Sequence, residues 1–294
     1  MFTGTYTAMI TPFRGGAIDE PALARLIQRQ IKAGVDGLVP VGTTGESATV
    51  DYAEHIRLIA LSVKFAAGKT KIIAGTGANS TKEAIYLTQE AEQAGADASL
   101  QVAPYYNKPT QEGLFQHFRA VARATRLPLI LYSIPSRCGI EIGVDTVRRL
   151  AAACPNIVSI KEAVGSVDRV SQLRAALGPK FSILSGDDSL TLPFMAVGAQ
   201  GVISVAANVV PREVVALVRA FASGDVVRAQ KWHAKLYPVF KDLFMETNPI
   251  PVKAALAMLG LIAEEYRLPL VPMAAANRAR LAQTLKACGV LKRV

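Results

Sequence analysis

Eight short apolar runs recur along the chain, and a segment of helical period follows each one. The runs are Thr5–Thr11, Gly37–Val41, Lys71–Gly75, Ala98–Ala103, Pro128–Ile134, Ile157–Glu162, Phe181–Ser185 and Gly201–Ala206. The intervening segments are Pro21–Lys32, Tyr52–Ala66, Thr81–Ala94, Gln111–Thr125, Val144–Ala153, Val167–Leu177, Ser189–Val197 and Pro211–Ala222. A strand that is always followed by a helix can only pair in parallel with the next strand, through a crossover. The runs are apolar almost throughout, the pattern of strands covered on both faces.

Two architectures satisfy this pattern, an open doubly wound sheet and a closed (β/α)8 TIM barrel. The first strand-to-helix turn lacks the Gly-x-Gly-x-x-Gly of the open dinucleotide-binding sheets, and eight units close naturally into a barrel. The chain's 294 residues suit a barrel of roughly 250 residues with an addition. A weak repeat supports the reading: Ala33-Gly34-Val35-Asp36-Gly37, Ala94-Gly95-Ala96-Asp97-Ala98 and Val197-Gly198-Ala199-Gln200-Gly201 each join a helix to a strand. The first glycine of each suits the left-handed position that closes a helix. After Gly224 no strand pattern returns, and Asp225–Phe244, Val252–Leu261 and Ala275–Ala287 read as helices. The expected organisation is a catalytic barrel over residues 1–224 and a C-terminal helical domain over residues 225–294.

Composition removes several function classes. Cys138, Cys154 and Cys288 are odd in number, widely spaced and without a Cys-x-x-Cys pair, which fits a reduced cytoplasmic protein. The N-terminus has neither a basic start nor a long apolar run. The uncharged stretch Ser189–Pro211 is broken by Pro193, Gly198, Gly201 and Asn208, so it reads as a buried helix, turn and strand rather than a membrane span. The formal net charge is +10. The basic residues are scattered, apart from a denser end that includes Arg278, Arg280, Lys286, Lys292 and Arg293. That is the pattern of a solvated basic surface, without the stripe or motif that nucleic acid would require.

In a barrel of this class the reacting groups gather at the C-terminal ends of the strands. Those ends hold Gly42-Thr43-Thr44-Gly45-Glu46-Ser47, Gly75-Thr76-Gly77-Ala78-Asn79, Pro104-Tyr105-Tyr106-Asn107, Tyr132 through Arg137, Lys161-Glu162 and Ser185-Gly186-Asp187-Asp188. Lys161 stands in an otherwise apolar or small strand, and lysine is seldom buried without a partner or a task. One reading pairs it with Glu162 or lets it snorkel to the barrel mouth. The other takes it as a desolvated, neutral amine able to attack a carbonyl. Tyr132 is either a core aromatic or a phenol that shuttles protons. Thr43 and Thr44 serve as turn residues or hold a carboxylate. Tyr105-Tyr106 packs a loop or an interface. Arg137 is a surface charge or a carboxylate clamp. His55, His117 and His233 lie far apart on helical segments, which disfavours a metal-dependent reaction. Asp187 and Asp188 after the seventh strand disfavour a phosphorylated substrate.

Taken together, the Gly42–Ser47 run, Tyr105-Tyr106-Asn107-Lys108-Pro109, Tyr132 through Arg137, Lys161-Glu162-Ala163 and Asn248-Pro249-Ile250-Pro251-Val252-Lys253 resemble the dihydrodipicolinate synthase family of pyruvate-dependent lyases, over essentially the whole chain. The resemblance implies a lyase of the class I aldolase type that condenses pyruvate, held as a Schiff base on Lys161, with L-aspartate 4-semialdehyde in lysine and diaminopimelate biosynthesis. It implies Tyr132, Thr44 and Tyr106 as a proton relay, with Tyr106 supplied by a neighbouring subunit of a homotetramer built from two tight dimers. It places pyruvate's carboxylate at Thr43, Thr44 and the backbone near Ile203, with Gly186 also at the substrate, and gives Arg137 the carboxylate of the second substrate. No metal or organic cofactor is implied. Ser47, Ala48, His55, Asn79, Glu83 and Tyr105 match an allosteric L-lysine pocket, although Ser80-Thr81-Lys82-Glu83 is also a capping-box pattern. Ser133, Cys138 and Val164 depart from the family, where Asn, Thr and Ser or Thr are common, and Tyr52 stands where His is common. The competing readings are another pyruvate aldolase, such as N-acetylneuraminate lyase or a deoxy-sugar-acid aldolase, and a catalytically silent ligand-binding barrel.

Overall fold

A computed structural model describes residues 1–291, so Lys292 and Arg293 of the basic C-terminal end lie outside the described residues. Its centre is a closed barrel of eight parallel strands: β1 (Gly4–Ala8), β2 (Gly37–Val39), β3 (Lys71–Gly75), β4 (Ala98–Val102), β5 (Leu129–Ser133), β6 (Ile157–Glu162), β7 (Ser182–Ser185) and β8 (Gly201–Ser204). Each strand pairs with its neighbours in sequence, and β8 closes on β1 with Tyr6 opposite Ile203. All eight expected runs become strands, shortened by up to three residues where the backbone turns out of the ladder into the site loops.

The crossover helices are α1 (Glu20–Ala33), α2 (Tyr52–Ala66), α3 (Thr81–Gln93), α4 (Gln111–Arg123), α5 (Val144–Ala153), α6 (Val167–Leu177), α7 (Thr191–Ala196) and α8 (Pro211–Ala222). Their ends follow from local chemistry. Asp19 accepts from the Ala22 amide to open α1, and Asp51 and Glu54 form a reciprocal capping box on α2. The repeat glycines Gly34, Gly95 and Gly198 take φ of +80, +86 and +106°, conformations that a side chain would strain. The Ser189–Pro211 stretch is a helix, turn and strand as expected, and among the described residues no helix is long and apolar enough to cross a membrane.

Three further helices form the appendix: α9 (Val226–Asp242), α10 (Ile250–Met258) and α11 (Ala275–Ala287). Their apolar faces join the barrel's hydrophobic core through Leu236, Phe240, Val252, Leu256, Leu281 and Leu285. The sequence pattern did not reveal the small hairpin Phe13–Arg14/Ala17–Ile18 or the single-turn helix Pro135–Cys138, because neither is long enough to show a period.

Candidate active site

At the C-terminal mouth of the barrel lies a cavity of about 360 Å³. Its lining brings together Thr43, Thr44, Tyr132, Arg137, Lys161 and Gly186 from four different strand ends, with Thr247, Asn248 and Pro249 from the appendix. A groove of about 870 Å³ on the outer surface, between α1, α8, α9 and Cys288–Val290, is larger. Its charged side chains are mostly basic (Arg25, Arg29, Lys32, Arg212 and Lys235, with Glu213), the rest of its lining is largely apolar, and it holds Cys288 but no buried lysine.

Lys161 sits on β6 directly opposite Tyr132 on β5, and its Nζ lies 4.1 Å from the Tyr132 ring centroid. It is only 6% exposed, and among the described residues it makes no ion pair. Glu162 is not its partner. Successive strand residues point to opposite faces, so the Glu162 carboxylate turns outward and accepts from Arg169 Nε at 2.9 Å and the Val164 amide at 2.8 Å. Burial pulls the Lys161 pKa down to about 7; Asp188 opposes that shift and the Arg137 charge adds to it. A substantial fraction of the amine is therefore neutral and nucleophilic near pH 7.

Gly186 leaves room for this side chain. A Cβ there would stand 2.7 Å from Ala163 Cβ and 3.2 Å from Lys161 Cε. Two residues on, Asp188 is buried and accepts from the Ser204 hydroxyl and from the Val205 and Ala206 amides at 3.0 and 2.9 Å. Burial still pushes its pKa up to about 6. Asp187 instead caps its own turn, accepting from the Ser189 amide at 2.8 Å.

Tyr132 is buried, and that burial raises its phenol pKa, while Arg137 and the Thr43 hydroxyl ease the shift. Thr44 is buried in the single turn Thr43–Gly45, where its Oγ1 accepts from Asn248 Nδ2 at 3.0 Å. That bond leaves the Thr44 proton free to point elsewhere. Arg137 stands at the rim and donates to the Asn248 carbonyl at 3.1 Å.

Glu46, of the same loop, takes a left-handed backbone with φ of 57° and borders the cavity, while its carboxylate accepts from the Arg267 amide at 3.3 Å. It meets Lys253 Nζ at 2.5 Å, and both side chains are fully buried. Asn248, Lys253, Glu46 and Asp188 received no role from the sequence. The lone lysine of Ile250–Met258 was a usable signal for Lys253; its partner, 207 residues away, was not.

Several expected residues lie elsewhere. Ile203 is buried in β8 and does not line the cavity, whereas Val205 does. Tyr106 is 91% exposed, with φ of 71°, and is not brought into this cavity. Ser47, Ala48 and Tyr105 line the cavity's outer edge. Asn79 Nδ2 donates to the Tyr105 carbonyl at 3.2 Å, and Glu83 lies close enough to raise the Tyr52 phenol pKa. His55 is occupied by the Gly75 carbonyl at 2.7 Å. The capping box on α3 is half made: Ser80 Oγ accepts the Glu83 amide at 3.5 Å, and the Glu83 carboxylate makes no return bond. Of the departures from the family pattern, Ser133 Oγ accepts from the Ile142 amide at 3.3 Å, Cys138 borders the cavity with its thiol pushed up to about 11 by burial, and Val164 contributes only its amide to Glu162. His117 and His233 sit apart on α4 and α9, and among the described residues no three His, Cys, Asp or Glu side chains gather as metal ligands.

Known proteins share this architecture across the full chain. The 4-hydroxy-tetrahydrodipicolinate synthase of Aquifex aeolicus is 53% identical over 286 residues, covering 97% of this chain and 97% of its own. The solved structure of 4-hydroxy-tetrahydrodipicolinate synthase from Methylacidiphilum fumariolicum SolV matches with a TM-score of 0.98 at 58% identity, covering 98% of this chain and 96% of that one. A structure of the Cyanidioschyzon merolae DHDPS with lysine bound matches with a TM-score of 0.96 at 41% identity, covering 99% of each chain. The sequence profile of the dihydrodipicolinate synthetase family matches residues 1–288, and the chain belongs to that family.

Proposed function

We propose that this chain is a lyase with 4-hydroxy-tetrahydrodipicolinate synthase activity, condensing pyruvate with L-aspartate 4-semialdehyde on Lys161. The observation that carries the chemistry is Lys161 itself, buried, without a counter-ion among the described residues and set against the Tyr132 ring in the cavity at the barrel mouth. Its neutral amine attacks the keto carbon of pyruvate, water leaves, and the iminium loses a methyl proton to become an enamine. The enamine carbon attacks the aldehyde, whose oxygen takes up a proton. The second substrate's own amine then attacks the iminium carbon, closes the ring and releases Lys161. Thr43, Thr44 and the backbone beside Ile203 hold pyruvate's carboxylate, and Gly186 clears the floor beneath it. Arg137 takes the other substrate's carboxylate, with its fork at the rim. Residues 1–224 carry the reacting groups, and residues 225–294 brace them.

Tyr132 and Thr44 carry protons within the chain. Tyr106 completes the relay from a neighbouring copy in a homotetramer of two tight dimers. Its near-complete exposure, beside the exposed rings of Tyr52, Tyr86 and Tyr105, supports that placement. The set Ser47, Ala48, His55, Asn79, Glu83 and Tyr105 forms an L-lysine effector site, with the Glu83 carboxylate for the ligand ammonium; the lysine-bound relative supports this reading.

The test of the activity is borohydride trapping with pyruvate, read by mass spectrometry, followed by turnover with aspartate semialdehyde against sialic acid. A covalent adduct on Lys161 and turnover of the semialdehyde alone are expected. No adduct, or a preference for sialic acid, would refute the assignment. For the effector site, Glu83→Gln should relieve L-lysine inhibition at an unchanged melting temperature. Wild-type activity indifferent to millimolar L-lysine removes that part of the reading.

A further inference from the structure

One residue of the appendix touches two groups that the barrel supplies from different strands. Asn248 is 5% exposed and lines the cavity. Its Nδ2 donates to Thr44 Oγ1 at 3.0 Å, and its carbonyl accepts Arg137 Nη2 at 3.1 Å. Its place is fixed from behind: the Lys253 amide bonds the Pro249 carbonyl at 3.0 Å, and Lys253 Nζ is anchored on Glu46, two residues beyond Thr44. We propose that Asn248 is a positioning residue that orients the Thr44 hydroxyl through its amide and holds Arg137 through its carbonyl, making the helical appendix part of the reacting geometry. The inference rests on the reading that places Thr44 and Arg137 in the site.

Hydroxyl chemistry gives the reason. A threonine hydroxyl has one proton and two lone pairs, and it rotates to suit its neighbours. With one lone pair filled by the Asn248 amide, its proton cannot point toward Asn248 and is turned toward the cavity shared with Tyr132 and Lys161. Aspartate at this position would reverse the bond, because a carboxylate offers only acceptors and would draw the Thr44 proton to itself. Asn248 Oδ1 is buried and finds no hydrogen-bond partner among the described residues. Leaving an acceptor orphaned is unfavourable, so stability alone does not account for an amide here.

The experiment compares Asn248→Ala and Asn248→Asp with wild type in steady-state kinetics and pyruvate trapping. In both variants kcat is expected to fall about tenfold, the scale of one hydrogen bond lost from the transition state. The KM for the aldehyde should stay within about twofold, since the contact to Arg137 is made by backbone, and Lys161 should trap pyruvate as before. Thr44→Val combined with Asn248→Asp should lose no more than Thr44→Val alone, because both act through one hydroxyl. Should Asn248→Ala unfold, the near-isosteric Asn248→Asp carries the test. Wild-type kcat in Asn248→Asp with trapping intact, or losses that multiply in the double variant, would overturn the proposal while leaving the proposed activity standing. Failure of the wild-type protein to trap pyruvate would overturn both.

Discussion

Lys161 in the barrel and Lys253 in the appendix are both lone lysines in apolar segments, and both are withdrawn from water, at 6% and 0% exposure. Their surroundings differ in one respect that decides everything else. Lys253 has a carboxylate at 2.5 Å and lies over the rings of Phe13 and Tyr266 at 4.5 and 5.2 Å. Lys161 has an aromatic face at 4.1 Å but, among the described residues, no carboxylate in contact, since Glu162 is turned outward to Arg169 and Asp188 is already bonded three times. Burial lowers the pKa of both lysines, and at Lys253 the Glu46 charge works against that fall. A buried lysine with a counter-ion is a brace. Withhold the counter-ion and the same side chain becomes a nucleophile, at some cost in stability.

Exchanging each lysine for methionine, which keeps the volume, should give opposite results. Lys161→Met is expected to abolish pyruvate trapping and lower turnover by on the order of 10⁴-fold or more, the scale of losing a covalent nucleophile. Its melting temperature should hold or rise, because an unpaired buried amine is removed. Wild-type-like turnover would take Lys161 out of the mechanism. Lys253→Met leaves the buried Glu46 carboxylate with the Arg267 amide at 3.3 Å but without its lysine, which should destabilise the fold by about 3–5 kcal/mol, roughly 10 °C in melting temperature. Adding Glu46→Gln should recover part of that loss. Unchanged melting of Lys253→Met would mean that the pair is not a brace, and the contrast would fail.

A smaller effect lies in pH. With the Lys161 pKa near 7, its neutral fraction and the initial rate of trapping should climb about tenfold between pH 6 and 8 and then level off. A rate still climbing steeply at pH 9 would mean that burial does not depress this amine. The smallest effect belongs to Asp188. Its charge holds the Lys161 pKa up, so Asp188→Asn should move the trapping profile toward acid by less than about one unit. A shift toward alkali would contradict the sign of that interaction.

The sequence carried the barrel well, because each strand and crossover helix keeps its period over several residues and several helix ends have local chemistry such as Asp19 or Gly34. Lys161 was legible for the same reason: a charge in Ile157–Glu162 breaks a local pattern. Of the two readings of Lys161, the pairing with Glu162 is the one that strand alternation disfavours, since adjacent side chains point to opposite faces. What stayed hidden depends on distance along the chain. Nothing near Glu46 announces Lys253, and nothing near Thr44 announces Asn248. Asp188 looked like a loop carboxylate until the turn at Val205 and Ala206 wrapped it. Tyr106 has its place in the proposed relay only if a second copy supplies it, and one chain's sequence does not encode that encounter openly.

The link between Glu46 and Lys253 also sets an order of events during synthesis. The two residues are 207 positions apart, and Thr44 and Asn248 are 204 apart. At ribosomal speeds of about 5–20 residues per second, the loop at Thr44 waits roughly 10–40 s before its partners are made. During that time Glu46 has no buried cation to meet and its carboxylate belongs in water. Completion of the catalytic mouth is therefore among the last acts of folding, so a nascent chain interrupted before Met245 is expected to resist protease across β3 to β6 while its Gly42–Ser47 loop is cut.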